Sequence, residues 1–535
     1  MLTVIIHSRI VNDISSTKKK PVRCSIVLLL IVPVFPGLAP TIQTKGDCII
    51  SMSRLKKAPA YLLITALLSS SLPIHAETFN SLPEIGTTAA STLTIEKELE
   101  YGDAYMRMLR ASRPIISDPL LADYVQDLGH RLVANANDVR TPFNFFLIQN
   151  REINAFAFFG GYVALHSGLF LYAKSESEFA SVVAHEIAHI TQRHLARSME
   201  DQAKKSPATM AAMIGSLMLA IASPEAGMAA LHATTAASVQ GQINYTRSNE
   251  KEADRIGIAT LAKSGFDVQA MPRFFGRLAD QYRYASKPPA MLLTHPLPED
   301  RISDTRSRAN QFPARRVEPS DRYLLARSRI VARFAGLESE AALDWFDRKL
   351  RKAKGQQKLA LNYGKALVLI DTGKYQEAHA LLDPLLVAEP NNRFFIDSAT
   401  DLDIAEKKYD TAISRLQSAL KQSPEQKVLR LNLAHTYQEA GKVDDSLSML
   451  LRYTYDNPKD TNGWYMLAQA QGEKGNRAAE LAARAELLAL RGLWDKAIKN
   501  YIQASQLVEV NSLDQARYDA RIDQLRLSRE KFAAL

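Results

Sequence analysis

Cysteine is almost absent from this chain. Its 535 residues include only two, Cys24 and Cys48, and both precede residue 52. The rest of the chain therefore needs neither disulfides nor thiol chemistry, and it could work in an oxidising compartment.

Long apolar runs are missing as well. Residues 25–38 form an apolar stretch interrupted by Pro33 and Pro36, and residues 208–222 form an uncharged stretch rich in alanine and methionine. As a helix the second stretch would be about 22 Å long, whereas a membrane-spanning helix needs about 20 residues. We expect 208–222 to be a buried helix or a flap near a functional site. A contact with a membrane surface or a substrate is the alternative.

An excess of one charge is also missing from most of the chain. The net charge of +10 suggests a nucleic-acid or membrane binder, but residues 1–76 hold nine of the 67 basic residues and only two of the 57 acidic ones. The remainder has 58 basic and 55 acidic residues, a net charge of +3. The charge therefore gives no reason to expect a nucleic-acid partner.

The basic leader has the form of a secretion signal. From Met52 the chain has a basic start, an apolar run over 61–68 and a small-residue end at Ala76. This pattern predicts a signal peptide over 52–76 and a periplasmic mature protein. Residues 1–51 are then a start-site extension from an upstream codon, and a genuine N-terminal extension is the alternative.

Apolar spacing predicts a mainly α-helical chain with a small β-sheet. Residues 94–137 and 243–264 have apolar positions three and four apart, which is the period of an amphipathic helix. Residues 143–170 are aromatic and β-branched, and they predict two or three short strands. Gly160 and Gly161 allow a turn or a close backbone approach there.

The stretch VVAHEIAHITQRH follows a capping box formed by Ser175 and Glu178, so it lies on a predicted helix. It contains His185-Glu186-x-x-His189. Residues four apart share a helix face, so the two imidazoles can converge on one zinc ion. Glu186 can reach a metal-bound water and act as its general base. The alternative is an amphipathic helix that carries histidines by chance.

A second predicted helix supplies the rest of the site. Glu250 and Asp254 form the pattern ExxAD, so one carboxylate can bind zinc while the other orients a ligand histidine. Glu252 is the rival ligand, but it lies about 200° around the helix from Glu250. We therefore predict His185, His189 and Glu250 as zinc ligands.

A third histidine of the stretch, His194, is predicted to lie outside the metal site. If the helix continues to about Met199, His194 is half a turn out of phase with His185 and on the opposite face. A motif with a third histidine would need glycine and histidine where the chain has Gln192 and Leu195. We expect His194 at the surface or beside a ligand.

Two flanking stretches fit a protease cleft. Asn154, Ala155, Phe156 and Ala157 lie in the strand region, where an exposed edge could bind an extended peptide by main-chain hydrogen bonds. An ordinary core strand is the alternative. His295, in the loop THPLPEDRI, could act as a fourth ligand that blocks water or as a donor to the tetrahedral oxyanion.

The C-terminal half repeats with a period of 34 residues. The recurring positions, at this interval or twice it, are a small residue (Ala378, Ala412, Ser446), a proline (Pro390, Pro424, Pro458) and a glycine (Gly373, Gly441, Gly475). This pattern is typical of the tetratricopeptide repeat, a helix pair that buries its face by stacking on its neighbours. We expect three to four repeats between about 359 and 510, forming an α-solenoid.

Four stretches, NAFAFFGGYVALHSGL, HEIAH, SNEKEADRIG and THPLPEDRI, occur in this order before the repeats. Together they resemble the gluzincin metallopeptidases, specifically the periplasmic branch that acts in β-barrel assembly in Gram-negative bacteria. HtpX-like and CAAX-prenyl proteases belong to the same family. The resemblance covers 77–535 and implies a zinc metallopeptidase domain over 77–315, a helical connector over 316–358 and a tetratricopeptide-repeat domain over 359–535.

The resemblance also implies roles for individual residues. His185, His189 and Glu250 would bind one zinc ion per subunit, and Glu186 would be the catalytic base. Asp254 would orient a ligand histidine by a hydrogen bond without binding the metal itself, and His295 would lie at the site as a regulatory ligand.

An endopeptidase with chaperone-like activity in outer-membrane quality control is the function that the resemblance implies. Its substrates would be stalled or misassembled outer-membrane β-barrel proteins. The repeats would recruit these proteins or the β-barrel assembly machinery, with a peripheral contact to the outer membrane. One alternative is a chaperone or scaffold that works mainly through its repeats with minor proteolysis. Another is a membrane-embedded protease like those in other branches of the family.

Overall fold

The structure is a computed structural model that describes residues 93–205, 247–283 and 290–534. These residues belong to one compact unit that spans 84–535. The predictions for the leader, the signal peptide and the apolar stretch 208–222 fall outside the described residues and stay predictions. None of the helices in the described ranges is long and apolar enough to cross a bilayer.

Helices dominate the N-terminal part, and a small sheet accompanies them. The elements are α1 (Ile95–Ser112), β1 (Ile115–Ile116), α2 (Pro119–Val133), β2 (Asn144–Ile148), β3 (Ala155–Phe158), β4 (Tyr162–His166), α3 (Gly168–Tyr172), α4 (Glu176–Thr191), α5 (His194–Lys205), α6 (Arg247–Lys263), α7 (Ala270–Tyr282), α8 (Ala290–Thr294) and α9 (Glu299–Ala309). The predicted fold class, mainly α with a small sheet, is confirmed. The helical character predicted over 94–137 is confirmed in two helices, α1 and α2, which are separate because Pro114 disfavours helix at Arg113 and the chain turns extended there.

The sheet has the strand order β1-β2-β4-β3. β2 and β4 pair in parallel, while β1 and β3 pair antiparallel to their neighbours. β3 is therefore an edge strand of the described sheet, with one side paired and the other without a strand. Gly160 and Gly161 have φ of 75° and 79° between β3 and β4, so the predicted glycine turn is confirmed.

Helix α4 is the core of the N-terminal part, since all its residues except Ile190 are buried. It packs between β3 and α6 and against α2 and α7. Ser175 accepts a hydrogen bond from the Glu178 backbone N–H at 3.2 Å, as the predicted cap requires. The Glu178 carboxylate accepts from the Lys174 backbone N–H at 2.7 Å.

The predicted continuation of this helix to Met199 is wrong. α4 ends at Thr191, Arg193 adopts a left-handed backbone with φ 51°, and α5 begins at His194. Glu98 binds the Arg193 side chain in this turn at 3.2 Å. The Leu93 carbonyl accepts a further hydrogen bond from the Arg193 guanidinium. A distant ion pair therefore stabilises a break that apolar spacing alone does not show.

The C-terminal part is a stack of helix pairs. Its elements are α10 (Asp321–Arg329), a π-helical turn (Ile330–Phe334), α11 (Ser339–Leu350), α12 (Gly355–Asp371), α13 (Tyr375–Ala388), α14 (Arg393–Ala405), α15 (Tyr409–Gln422), α16 (Lys427–Glu439), α17 (Val443–Asp456), α18 (Thr461–Glu473), α19 (Arg477–Leu490), α20 (Trp494–Gln506) and α21 (Leu513–Ala533). Gly373, Gly441 and Gly475 have φ between 73° and 77° in the turns inside the pairs. Lys407, 34 residues after Gly373, takes the same backbone form with φ 61°.

The C-terminal helices contact the N-terminal part along the stack, and two of these contacts involve buried or stacked arginines. Arg329, on α10, pairs with Asp118 at the start of α2 (2.6 Å) and with Asp397 on α14 (2.7 Å). At the other end of the stack, the Arg107 guanidinium of α1 lies 4.8 Å from the ring centroid of Trp494. The first contact fixes the start of α2, which packs on α4, and the second fixes α1.

Candidate metal centre

Two helices and a loop bring four metal-binding side chains together. His185 and His189 extend from α4, Glu250 from α6, and His295 from the residue after α8. Each is at most 3% exposed, and one ligand atom from each lies within 4.8 Å of the other three. The structure thus assembles the three predicted ligands and adds His295 to them.

The spacing of these atoms fits a tetrahedral ion. His185 Nε2 lies 3.0 Å from His189 Nε2, 3.4 Å from His295 Nδ1 and 3.4 Å from Glu250 Oε2. Glu250 Oε1 lies 3.1 Å from His295 Nδ1 and 3.5 Å from His189 Nε2. Bonds of about 2.0–2.1 Å to a tetrahedral ion would separate neighbouring ligands by about 3.3 Å. The donor set, three imidazoles and one carboxylate, also suits such an ion.

The charges at this centre favour a bound cation. Burial alone would raise the pKa of Glu250, but His295, His185 and His189 together hold it well below its usual range. Burial would lower the pKa of His185, but Asp254 and Glu250 outweigh it and raise the pKa to about 10. The buried carboxylates therefore demand positive charge, which a metal ion would provide.

Glu186 stands beside the four ligands without being one of them. It is fully buried, and its Oε1 lies 3.5 Å from His295 Nε2. Burial raises its pKa, opposed by the charges of His295 and His185 and by the backbone N–H of Ala157. A carboxyl group with a raised pKa can both accept and return a proton near neutral pH.

Asp254 lies where the sequence places it, as a support for a ligand. His185 Nδ1 lies 2.9 Å from Asp254 Oδ1, and this pairing leaves Nε2 for the ion. Arg301 holds the other side of Asp254 with two hydrogen bonds of 2.8 Å. Its Nη1 also donates to Glu250 Oε2 at 2.7 Å and to the Pro296 carbonyl at 2.8 Å.

Sequence reasoning missed Arg301, although this residue ends the stretch THPLPEDR. It is 1% exposed, and a buried arginine requires carboxylate partners. An isolated arginine gives no sign of burial in the sequence, so only its position six residues after His295 could have drawn attention to it.

His194 corrects the prediction of an opposite helix face. Because α4 breaks after Thr191, His194 turns back and its Nδ1 lies 2.9 Å from His189 Nδ1. His194 is fully buried rather than at the surface, so the other expectation, a place beside a ligand, is the one the structure shows. Glu252, the rejected rival ligand, lies 3.1 Å from His194 Nε2.

The predicted substrate strand forms the edge next to the centre. Asn154 directly precedes β3, which contains Ala155, Phe156 and Ala157. Ala155 and Ala157 are buried, Phe156 is partly exposed, and β3 packs on α4. Asn154 is buried, and its side-chain oxygen has no hydrogen-bond partner in the described structure. The strand therefore lies at the edge of the sheet, and a buried polar side chain directly precedes it.

Comparison with known proteins decides the family. The pattern of peptidase family M48 matches residues 119–309, which include the whole centre, and a tetratricopeptide repeat pattern matches 403–470. A Vibrio cholerae protein is 60% identical over 454 residues, 85% of this chain and 94% of its own. The β-barrel assembly-enhancing protease of Escherichia coli K12 is 50% identical over 482 residues, 90% of this chain and 98% of its own.

The chain belongs to the β-barrel assembly-enhancing protease family. As an M48 peptidase it is a metalloendopeptidase, and the four-residue cluster could hold a metal ion. A more distant relative, the mitochondrial metalloendopeptidase OMA1 of Schizosaccharomyces pombe, is 28% identical over 203 residues, 38% of this chain and 55% of its own.

Proposed function

We propose that this peptidase is a zinc-dependent endopeptidase of the periplasm that degrades misassembled outer-membrane β-barrel proteins and assists the assembly of others. The observation that supports it most is the cluster of His185, His189, Glu250 and His295 around Glu186. It lies in a chain 50% identical, over 90% of its length, to the β-barrel assembly-enhancing protease of E. coli.

His185, His189 and Glu250 are proposed to hold the zinc ion. Two nitrogen donors and one carboxylate leave a fourth position, which is the ligand set of catalytic rather than structural zinc sites. When bound, zinc would lower the pKa of a water molecule and polarise the scissile carbonyl. Asp254 keeps the His185 proton on Nδ1, so that the Nε2 lone pair faces the ion.

Glu186 is proposed to move the proton. It takes the proton from the attacking water and then delivers it to the leaving amine. The raised pKa caused by its burial brings it closer to neutral pH, where one group performs both transfers efficiently.

The edge strand β3 is proposed to bind the substrate main chain. An extended peptide added alongside Ala155–Phe158 would pass the centre as an additional strand. Segments of a β-barrel protein that have not yet paired are extended and carry free main-chain groups, so they suit this mode of binding. Recognition through the main chain would tolerate many sequences.

His295 is proposed to keep the site closed. Its Nδ1 lies 3.1 Å from Glu250 Oε1, among the ligand atoms, and its Nε2 lies 3.5 Å from Glu186. In this position His295 occupies the fourth coordination position and lies beside Glu186. It would therefore exclude the water molecule that attacks the peptide bond. This geometry favours the blocking role over that of an oxyanion donor.

The repeats are proposed to supply the partner contacts. Stacked helix pairs present a long curved surface, which suits recruitment of a stalled β-barrel protein or of the β-barrel assembly machinery. A peripheral contact with the outer membrane would follow from that recruitment. The rival function, a chaperone or scaffold with minor proteolysis, uses the same surface.

Glu186→Gln separates the two functions, because it keeps the ligands and removes the base. We expect the variant to bind one zinc ion per chain and to cleave an unfolded outer-membrane β-barrel protein about 10²–10⁴-fold more slowly. Glu299→Gln, an exposed glutamate on α9, is the matched control and should cleave normally. Undiminished cleavage by Glu186→Gln would refute the proposed base. If the variant supported every barrel-assembly phenotype in cells, the scaffold function would replace the protease.

A further inference from the structure

The two histidines of the metal motif have different supports. His185 pairs with a carboxylate, Asp254, in the usual way for a metal ligand. His189 instead has a histidine behind it: its Nδ1 lies 2.9 Å from His194 Nδ1. Each neutral imidazole carries only one proton, so the location of the protons in this pair must be set by something else.

Glu252 sets it. His194 Nε2 lies 3.1 Å from Glu252 Oε2, and the same oxygen accepts a hydrogen bond of 2.9 Å from Arg197 Nη1. A carboxylate that pairs with arginine only accepts hydrogen bonds, so the His194 proton lies on Nε2. His194 Nδ1 is therefore an acceptor, and the donor between the two rings is His189 Nδ1.

We propose that His194 is a positioning residue, which with Glu252 fixes the ring of His189 and keeps its Nε2 lone pair directed at the metal ion. The chain of contacts runs from Glu252 through His194 to His189, and it ends at the ligand atom that lies 3.0 Å from His185 Nε2. This inference rests on the proposed metal site, since His189 has a lone pair to present only if it is a ligand.

The fold holds this arrangement in place. His194 is fully buried, so its ring cannot turn away to water. It reaches His189 only because the chain reverses at Arg193, and the buried pair of Arg193 with Glu98 stabilises that turn. In an uninterrupted helix, residues five apart would be about 140° apart and the two rings would not meet.

The test is metal affinity, measured on the full chain. His194→Phe keeps the ring volume and removes the acceptor, and we expect it to weaken zinc binding about 10–100-fold in competition with a chromophoric chelator. His194→Gln keeps an acceptor oxygen towards His189 and a donor amide towards Glu252, so it should retain most of the affinity. The visible spectrum of the Co²⁺-substituted chain should change in His194→Phe and stay close to native in His194→Gln. His166→Phe, at another buried histidine of the same domain, is the control and should bind zinc normally.

Each outcome separates this inference from the proposed function. A native chain that binds no metal would refute the metal site itself. A native chain that binds zinc, with His194→Phe binding equally tightly, would refute only the role of His194. Equal losses in His194→Phe and His194→Gln would show that an acceptor towards His189 does not preserve the affinity, which also overturns the inference. If His194→Phe does not fold, Glu252→Leu is the second variant. It removes the acceptor that His194 Nε2 faces, and it should still weaken zinc binding.

Discussion

The effect of replacing Arg301 can be predicted quantitatively, because hydrogen-bond acceptors surround its buried guanidinium. It donates four hydrogen bonds of 2.7–2.8 Å, two to Asp254, one to Glu250 and one to the Pro296 carbonyl. With Arg301→Met the volume remains but both carboxylates lose a buried positive charge. Removing one partner of a buried ion pair costs about 3–5 kcal/mol, because the remaining charge is uncompensated.

The measurement is thermal unfolding of the metal-free chain. The entropy of unfolding is about 2.1 cal/mol/K per residue, so 1 kcal/mol corresponds to about 1 °C for the compact unit that spans 84–535, and Arg301→Met should lower the melting temperature by roughly 3–5 °C. Arg301→Lys keeps the charge but loses the fork-shaped contact with Asp254, and it should cost roughly 1.5–3 kcal/mol. Arg322→Met is the control: Arg322 pairs with Asp127 at the surface and should change stability by less than about 1 kcal/mol.

Added zinc provides a further check. A bound cation supplies positive charge next to Glu250, so zinc should restore more of the melting temperature to Arg301→Met than it adds to the native chain. A melting temperature within about 2 °C of native in the absence of metal would refute the charge-compensation argument. So would a shift as large in Arg322→Met as in Arg301→Met.

Four further predictions concern the site and its surroundings. His295→Ala should raise cleavage of an unfolded substrate if His295 closes the site, and a fall in activity would instead support the oxyanion donor. A chelator should abolish cleavage, zinc should restore it, and zinc at 100 times its Kd should raise the free energy of unfolding by about 2.7 kcal/mol. Burial lowers the pKa of His166 from 6.5 to about 4, so its neutral form is favoured in the folded state. The free energy of unfolding should therefore fall by about 3 kcal/mol as the pH falls from 6.5 to 4. His166→Phe should remove this pH dependence in denaturation experiments. Gly161→Ala should lower the free energy of unfolding by at least about 1–2 kcal/mol, since φ is 79° and a Cβ would overlap the Pro142 carbonyl; an unchanged urea midpoint would contradict this.

Local patterns were enough for the parts of the fold that depend on near neighbours. The cap at Ser175, the helices that carry His185 and Glu250, the glycine turn at Gly160 and the 34-residue stacking all follow from spacings of a few residues. Glu250 and Asp254 are four residues apart and therefore share one face of α6. This shared face explains why Asp254 reaches His185 when Glu250 lies at the centre.

Features that depend on distant contacts were beyond those patterns. The break after Thr191 is stabilised by Glu98, which is 95 residues from Arg193, and apolar spacing continues through it. The predicted position of His194 is wrong for this reason alone, because the helix that carries His185 ends at Thr191, three residues before His194. Arg301 was missed because its partners lie 47 and 51 residues before it.

Arg301 also explains how the closing residue is tied to the metal ligands. His295 and Pro296 are adjacent, and the Pro296 carbonyl accepts from the same guanidinium nitrogen that binds Glu250. Arg301 lies in the first turn of α9, so its two bonds to Asp254 fix the start of that helix relative to α6. If His295 closes the site as proposed, its departure would move the short loop before α9, and we expect the Pro296 bond to break while the bonds to Asp254 keep α6 in place. The proposed closed and open states would then differ in one histidine and one main-chain hydrogen bond, with His185, His189 and Glu250 positioned alike in both.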